Sequence, residues 1–172
     1  MLERMIRLIR ASERDLPAIC AIERKDGFAH LVARSSIEDH RKRLSRSDVA
    51  YWLAGRKGDG VDGFAIVTGL NDIHNGFYLL RIAVAEPGRG FGREFLGAIV
   101  DWAFTDMSAP RFHLDVLSHN LRARRAYAAC GFLEDGVLRG AYAMGDGSRA
   151  DRIVMSILPR EFAQARAPAD SP

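Results

Sequence analysis

Lysine is scarce in this chain: Lys25, Lys42 and Lys57 are the only lysines among 25 basic residues, and the rest are arginines. Against 22 acidic residues they leave a formal charge of +3. That excess is too small for a nucleic-acid-binding surface, but it suits an anionic ligand such as a phosphate group. Cysteine is scarcer still, and Cys20 and Cys130 match no zinc or redox spacing. They read as small buried hydrophobes, so no metal centre is expected. No apolar run approaches the ~20 residues that cross a bilayer. Met1 to Arg10 carries charges within its apolar stretch, unlike a secretory leader. A cytoplasmic protein without membrane contact is therefore expected.

What is present is the composition of an ordinary globular chain. Of 172 residues, 48% are hydrophobic and 27% charged, enough apolar mass for a core without metal or disulfide support. One domain is expected over residues 1–159. Residues 160–172 lose periodicity, gain Ala, Pro, Asp and Ser, and are expected to fray.

Periodicity gives the element order. Met5–Ile9 reads as a strand, followed by a helix to about Arg24 and a second helix from Ser36 to about Leu44. Val49–Ala54, Gly63–Leu70 and Phe77–Ala85 are apolar runs joined by turn residues, as in an antiparallel meander. From Gly90 to about Asp106 the period becomes helical, with Phe91, Phe95, Leu96, Ile99, Val100, Ala103 and Phe104 on one stripe. Arg111–Leu117 is a strand, Asn120–Cys130 a short helix, and Gly136–Met144 with Ala150–Leu158 a closing hairpin. The order β-α-α-β-β-β-α-β-α-β-β describes one α+β domain.

Two segments carry chemistry. Val84-Ala85-Glu86-Pro87-Gly88-Arg89-Gly90-Phe91-Gly92-Arg93 joins a strand end to a helix start. Its glycines let backbone approach a ligand closely, and the helix start adds unpaired N–H groups, which together make a phosphate cradle. The turn follows an antiparallel meander and lacks a Lys-Ser or Lys-Thr pair, so it is neither a dinucleotide fingerprint nor a P-loop. The second segment is the helix Asn120-Leu121-Arg122-Ala123-Arg124-Arg125-Ala126-Tyr127, closing on Gly131-Phe132.

Together these segments resemble the GNAT superfamily of N-acetyltransferases, whose pattern is Arg/Gln-x-x-Gly-x-Gly/Ala at a helix start, then Asn-x-x-Ala-x-x-x-Tyr before Gly-Phe. The likeness runs from about Met5 to Leu158, with one departure: Pro87 stands where the family carries Arg or Gln. The resemblance implies a mixed, mostly antiparallel sheet flanked by helices, and acetyl-CoA as cosubstrate, with the acetyl group passing to a primary amine by direct attack. By position, the backbone of Ile82, Ala83 and Val84 pairs with the pantetheine arm. Arg89, Gly90, Phe91, Gly92 and Arg93 hold the pyrophosphate, Asn120 hydrogen-bonds the cofactor, and Tyr127 faces the sulfur as the catalytic acid.

Arg122, Arg124 and Arg125 lie on the other faces of that helix, as extra phosphate contacts or as a solvated basic face. Glu86, His113, Asp115, His30 and His74 are candidates for the base. Loops 27–36, 71–76 and 138–148 are expected to frame the acceptor, a small amine or a protein N-terminus. They offer no acidic funnel for a polyamine. Two other readings stay open: an acyl-CoA-binding regulator without turnover, and a phosphate-binding module unrelated to CoA. The last hairpin offers edge strands on which a homodimer could form.

Overall fold

Seven strands form one sheet in the order β1-β2-β3-β4-β5-β7-β6, in a computed structural model that describes residues 6–25, 34–55, 60–88 and 90–166. The strands are β1 (Ile9–Arg10), β2 (Val49–Ala54), β3 (Gly63–Thr68), β4 (Phe77–Val84), β5 (Phe112–Leu117), β6 (Leu133–Ala143) and β7 (Arg149–Ile157). The helices are α1 (Leu16–Glu23), α2 (Ile37–Leu44), α3 (Phe91–Asp101), α4 (Leu121–Ala129) and α5 (Pro159–Arg166). All strand pairs are antiparallel except β4 with β5. The α+β domain is the one expected from the element order, and the mixed, mostly antiparallel sheet is the one the resemblance implied.

Strand alternation divides the core between the two faces of the sheet. On β3, Phe64 and Ile66 join Leu16, Ile19, Ile22 and Tyr51 beneath α1. Ala65 and Val67 point the other way, into the cluster of Phe95, Leu96, Ile99, Phe112 and Phe132 beneath α3. Each large apolar side chain removed from water contributes about 1.5–3 kcal/mol, so both faces are firmly anchored. The serine before α2 caps it: Ser36 Oγ accepts from Asp39 N–H at 3.1 Å.

The boundaries differ from expectation in several places. The first strand, expected over Met5–Ile9, is Ile9–Arg10, with 6–8 outside it. The helix running to Asp106 turns from α into π at Trp102, where Met107 N–H donates to the Trp102 carbonyl at 3.2 Å, five residues back. The strand expected from Gly136 begins at Leu133. The stretch from Arg160 does not fray at once, because Pro159–Arg166 is helix α5. Its one large apolar residue, Phe162, stacks on Phe104 at 4.9 Å, and Arg166 pairs with Asp101. The polar composition of the segment concealed this single anchor.

Candidate active site

The site begins as a failure of two strands to stay together. β4 and β5 pair only at Phe77↔Phe112 and Tyr78↔His113. On the other side of β4, Leu79 faces Val67 and Arg81 faces Ile66, so Leu80 is an extra residue, a bulge. A bulge bends and twists its strand. Here it also sends two successive residues to one face: Leu80 packs into the α1 cluster, and Arg81 pairs with Glu23 of α1. Beyond the bulge β4 and β5 diverge and a cavity of about 380 Å³ opens between them. Leu79 to Val84 of β4 and Asp115, Val116 and Leu117 of β5 line it. Residues of both parities form its walls, so the cavity reaches both faces of the sheet. The β4 edge from Leu79 onward has no strand partner on that side.

At one end lies the glycine turn. Gly88 and Gly90 have φ of +103° and +79°, the left-handed region that glycine enters without strain, and Gly90 caps α3. Pro87, Gly88, Gly90, Gly92 and Arg93 all line the cavity. A Cβ on Gly88 would meet no atom within 4 Å, so the turn leaves open space where a side chain would stand. Phe91 is the exception among the expected residues: its side chain is buried against Phe95, with centroids 6.2 Å apart, and it is absent from the cavity wall. Arg89 lies outside the described residues. Arg122 lines the cavity. Arg124 does not, because it bonds Glu134 at 2.6 Å and the Ser118 carbonyl at 3.0 Å. Arg125 is exposed and off the wall.

α4 brings Asn120 and Tyr127 to the same cavity. Asn120 Oδ1 accepts from Ala123 N–H at 3.2 Å and so caps the helix, leaving its amide NH₂ for a ligand. The Tyr127 ring packs edge-on against Phe132 at 6.0 Å, and its hydroxyl makes no hydrogen bond with the described residues. Burial, with a smaller push from the Asp115 charge, raises the phenol to about 12. One turn on, burial raises Cys130 to about 11, and its Sγ donates to the Arg93 carbonyl at 3.6 Å.

Of the candidate bases, Asp115 alone lines the cavity. It accepts from the Tyr78 hydroxyl and pairs with Arg152, whose guanidinium lies 5.9 Å from the Tyr142 ring centroid. Burial, then the Asp115 carboxylate, raises Tyr78 well above the ordinary phenol range. His113 stacks on Tyr78 at 5.1 Å, away from the wall, and burial lowers it. Glu86 is exposed past the end of β4. His30 lies outside the described residues. His74 belongs to the loop 71–76, which meets Arg111 at the opposite end of β4, so that loop does not frame the cavity.

Sequence reasoning missed Arg81 and Arg152 on the wall, and the buried group behind Arg81; Tyr142, also on the wall, belongs to the loop 138–148 expected to frame the acceptor. Glu23 and His40 are fully buried; His40 Nε2 lies 3.3 Å from Glu23 Oε2, and His40 Nδ1 lies 3.0 Å from the Tyr51 hydroxyl. Burial alone would raise the Glu23 carboxyl. Hydrogen bonds from His40 and Ser35 N–H, with the Arg81 charge, outweigh it and hold the group below its usual range.

A family model described as an acetyltransferase (GNAT) domain matches residues 4–133. The chain belongs to the GNAT acetyltransferase family. Within that family it is 33% identical over 70 residues to a spermidine N(1)-acetyltransferase of Vibrio cholerae serotype O1, an alignment spanning 40% of each chain. Among solved structures it shares its fold with a spermidine N-acetyltransferase chimera from Vibrio cholerae and hSSAT, with TM-score 0.83 and 21% identity over 92% of this chain and 98% of that one. A Vibrio cholerae spermidine N-acetyltransferase in complex with CoA and spermine gives TM-score 0.82 and 21% identity, with the same coverage. Among the described residues of this GNAT chain, no group of three or more His, Cys, Asp or Glu could hold a metal, and no helix is long and apolar enough to cross a membrane.

Proposed function

We propose that the chain is an acetyl-CoA-dependent N-acetyltransferase that uses the β4/β5 cavity as its active site, with a small amine as acceptor. The observation that carries this reading is one cavity whose wall joins an unpartnered strand edge, a glycine turn at a helix N-terminus and a tyrosine whose hydroxyl has no hydrogen bond with the described residues. Edge amides of Ile82, Ala83 and Val84 suit the repeated amide groups of a pantetheine arm. The N–H groups at the start of α3, with Arg93 and Arg122, suit a pyrophosphate. Pro87 contributes shape but no donor.

Acetyl-CoA supplies an activated acetyl thioester. The protein's residues do the rest. The acceptor ammonium must first lose a proton, and among the described residues Asp115 is the one carboxylate on the wall to receive it. The neutral nitrogen then forms its bond to the acetyl carbon as the C–S bond breaks. A β4 edge N–H near Ile82 or Ala83 stabilises the carbonyl oxygen as charge develops there. Tyr127, kept protonated by its raised pKa, donates its proton to the departing sulfur, and the second proton shed by the acylated nitrogen restores the phenol. Asn120 holds the cofactor through its free amide NH₂.

The polyamine named for the relatives is not carried over, because Arg81, Arg93, Arg122 and Arg152 stand on the wall against Asp115 alone. A homodimer is expected at the long edge strand β6, where Leu133, Val137 and Leu138 are exposed, and light scattering of the purified chain tests it. The activity is tested by CoA release from acetyl-CoA with a panel of primary amines. Release that depends on both the amine and Tyr127 supports the reading, whereas binding of acetyl-CoA without release from any amine favours the regulator.

A further inference from the structure

One corner of the cavity carries the Asp115–Arg152 ion pair with Tyr78 and Tyr142 against it. Asp115 and Leu117 alternate with the core-facing Leu114 and Val116, so they turn away from α3. Leu117 registers with Arg152 on β7, which places the Arg152 side chain on that same face, where it meets Asp115. Tyr78 donates to the free oxygen of the carboxylate, and Tyr142 lies against the guanidinium. Asp115 is largely enclosed, its side chain 10% exposed, while Arg152 is 34% exposed and approaches the carboxylate through Nε. A guanidinium has five donors in a planar fork, so Arg152 keeps donors for a second anion.

Resting on the transferase reading, we infer that the acceptor is a zwitterion: a primary amine with a carboxylate a few bonds away, as in an amino acid. An ion pair is complementary to a second, oppositely oriented ion pair. The ammonium sits by Asp115, from which it is deprotonated, and the carboxylate takes the unused edge of Arg152 in a bidentate bond. A polyamine fails here, since its second ammonium would meet Arg152 and find no second carboxylate among the described residues of the wall. A peptide N-terminus lacks the anion that Arg152 requires. The other wall arginine of this corner, Arg81, is already matched by the buried Glu23 and adds no free charge.

The test is CoA release by the wild-type enzyme with matched pairs, each amino acid against its decarboxylated amine and its methyl ester, with spermidine and spermine alongside. At least one amino acid is expected to exceed both of its partners by about tenfold or more in kcat/KM, the scale of one charge-assisted hydrogen bond. Arg152→Gln is expected to abolish that preference, with kcat/KM falling for the acid by about tenfold more than for its amine, and with Arg152→Lys in between. The wild-type comparison stands whether or not the variants fold. Equal use of acid and amine, or preference for spermidine, overturns the zwitterion while leaving the transferase intact. Release from no amine at all overturns both.

Discussion

At the residue scale the account turns on two groups that burial handles differently. Tyr127 is raised to about 12, so it is protonated throughout the neutral and mildly alkaline range and available as an acid. It follows that the kcat profile has no falling alkaline limb below about pH 10, the ordinary phenol value. Such a limb, present in wild type and lost in Tyr127→Phe, would contradict the raised value. Glu23 is the opposite case: its carboxyl lies below the ordinary value in the fold, so its contribution to stability is present above about pH 4.5 and is lost as pH falls further. Glu23→Ala strands Arg81 and His40 without their shared anion. It is expected to cost about 3–5 kcal/mol in urea unfolding at neutral pH, the usual loss on breaking a buried pair. A loss below 1 kcal/mol would mean that water reaches the site. Tyr127 was legible through its spacing from Asn120, but Glu23 finds Arg81 58 residues away across a fold that sequence periodicity does not describe.

At the level of elements, the α3 stripe and the glycine turn before it were readable because their signals are local: a 3.6-residue period, and glycines where φ must be positive. Gly90→Val tests the turn. A β-branched residue at φ +79° costs about 1–2 kcal/mol of strain at the helix cap and puts a side chain at the cavity wall. Calorimetry is expected to show acetyl-CoA affinity reduced by an order of magnitude or more, and unchanged affinity would remove the turn from the site. The bulge at Leu80 was not readable. Its existence depends on the register against Ile66 and Val67, and two residues on one face of a strand look like any other apolar pair until the partner is known. The same holds for Asp115 and Arg152, which meet only because β7 lies between β5 and β6. α5 escaped notice because a short polar helix is fixed by tertiary contact and not by propensity. Phe162→Ala removes its stack on Phe104 and is expected to lower stability by about 1–3 kcal/mol, read as a fall in Tm without loss of acetyl-CoA binding. An unaltered Tm would show the helix to be undocked in solution.

Over the whole molecule, two cores on opposite faces of one sheet hold its halves rigidly while the sheet itself parts between β4 and β5. That division lets a cosubstrate and an acceptor approach the same point from different sides. The glycine turn, α3 and α4 stand on one face; Asp115, Arg152 and the buried Glu23 group stand on the other. The measurement that bears most directly on this arrangement is a paired determination on Tyr127→Phe: acetyl-CoA dissociation constant by calorimetry, and turnover with the best amine of the panel. The account predicts turnover lower by about a hundredfold or more, the usual loss on removing a positioned acid, with the dissociation constant essentially unchanged. Undiminished turnover, or a loss of cofactor binding equal to the loss of rate, would contradict it.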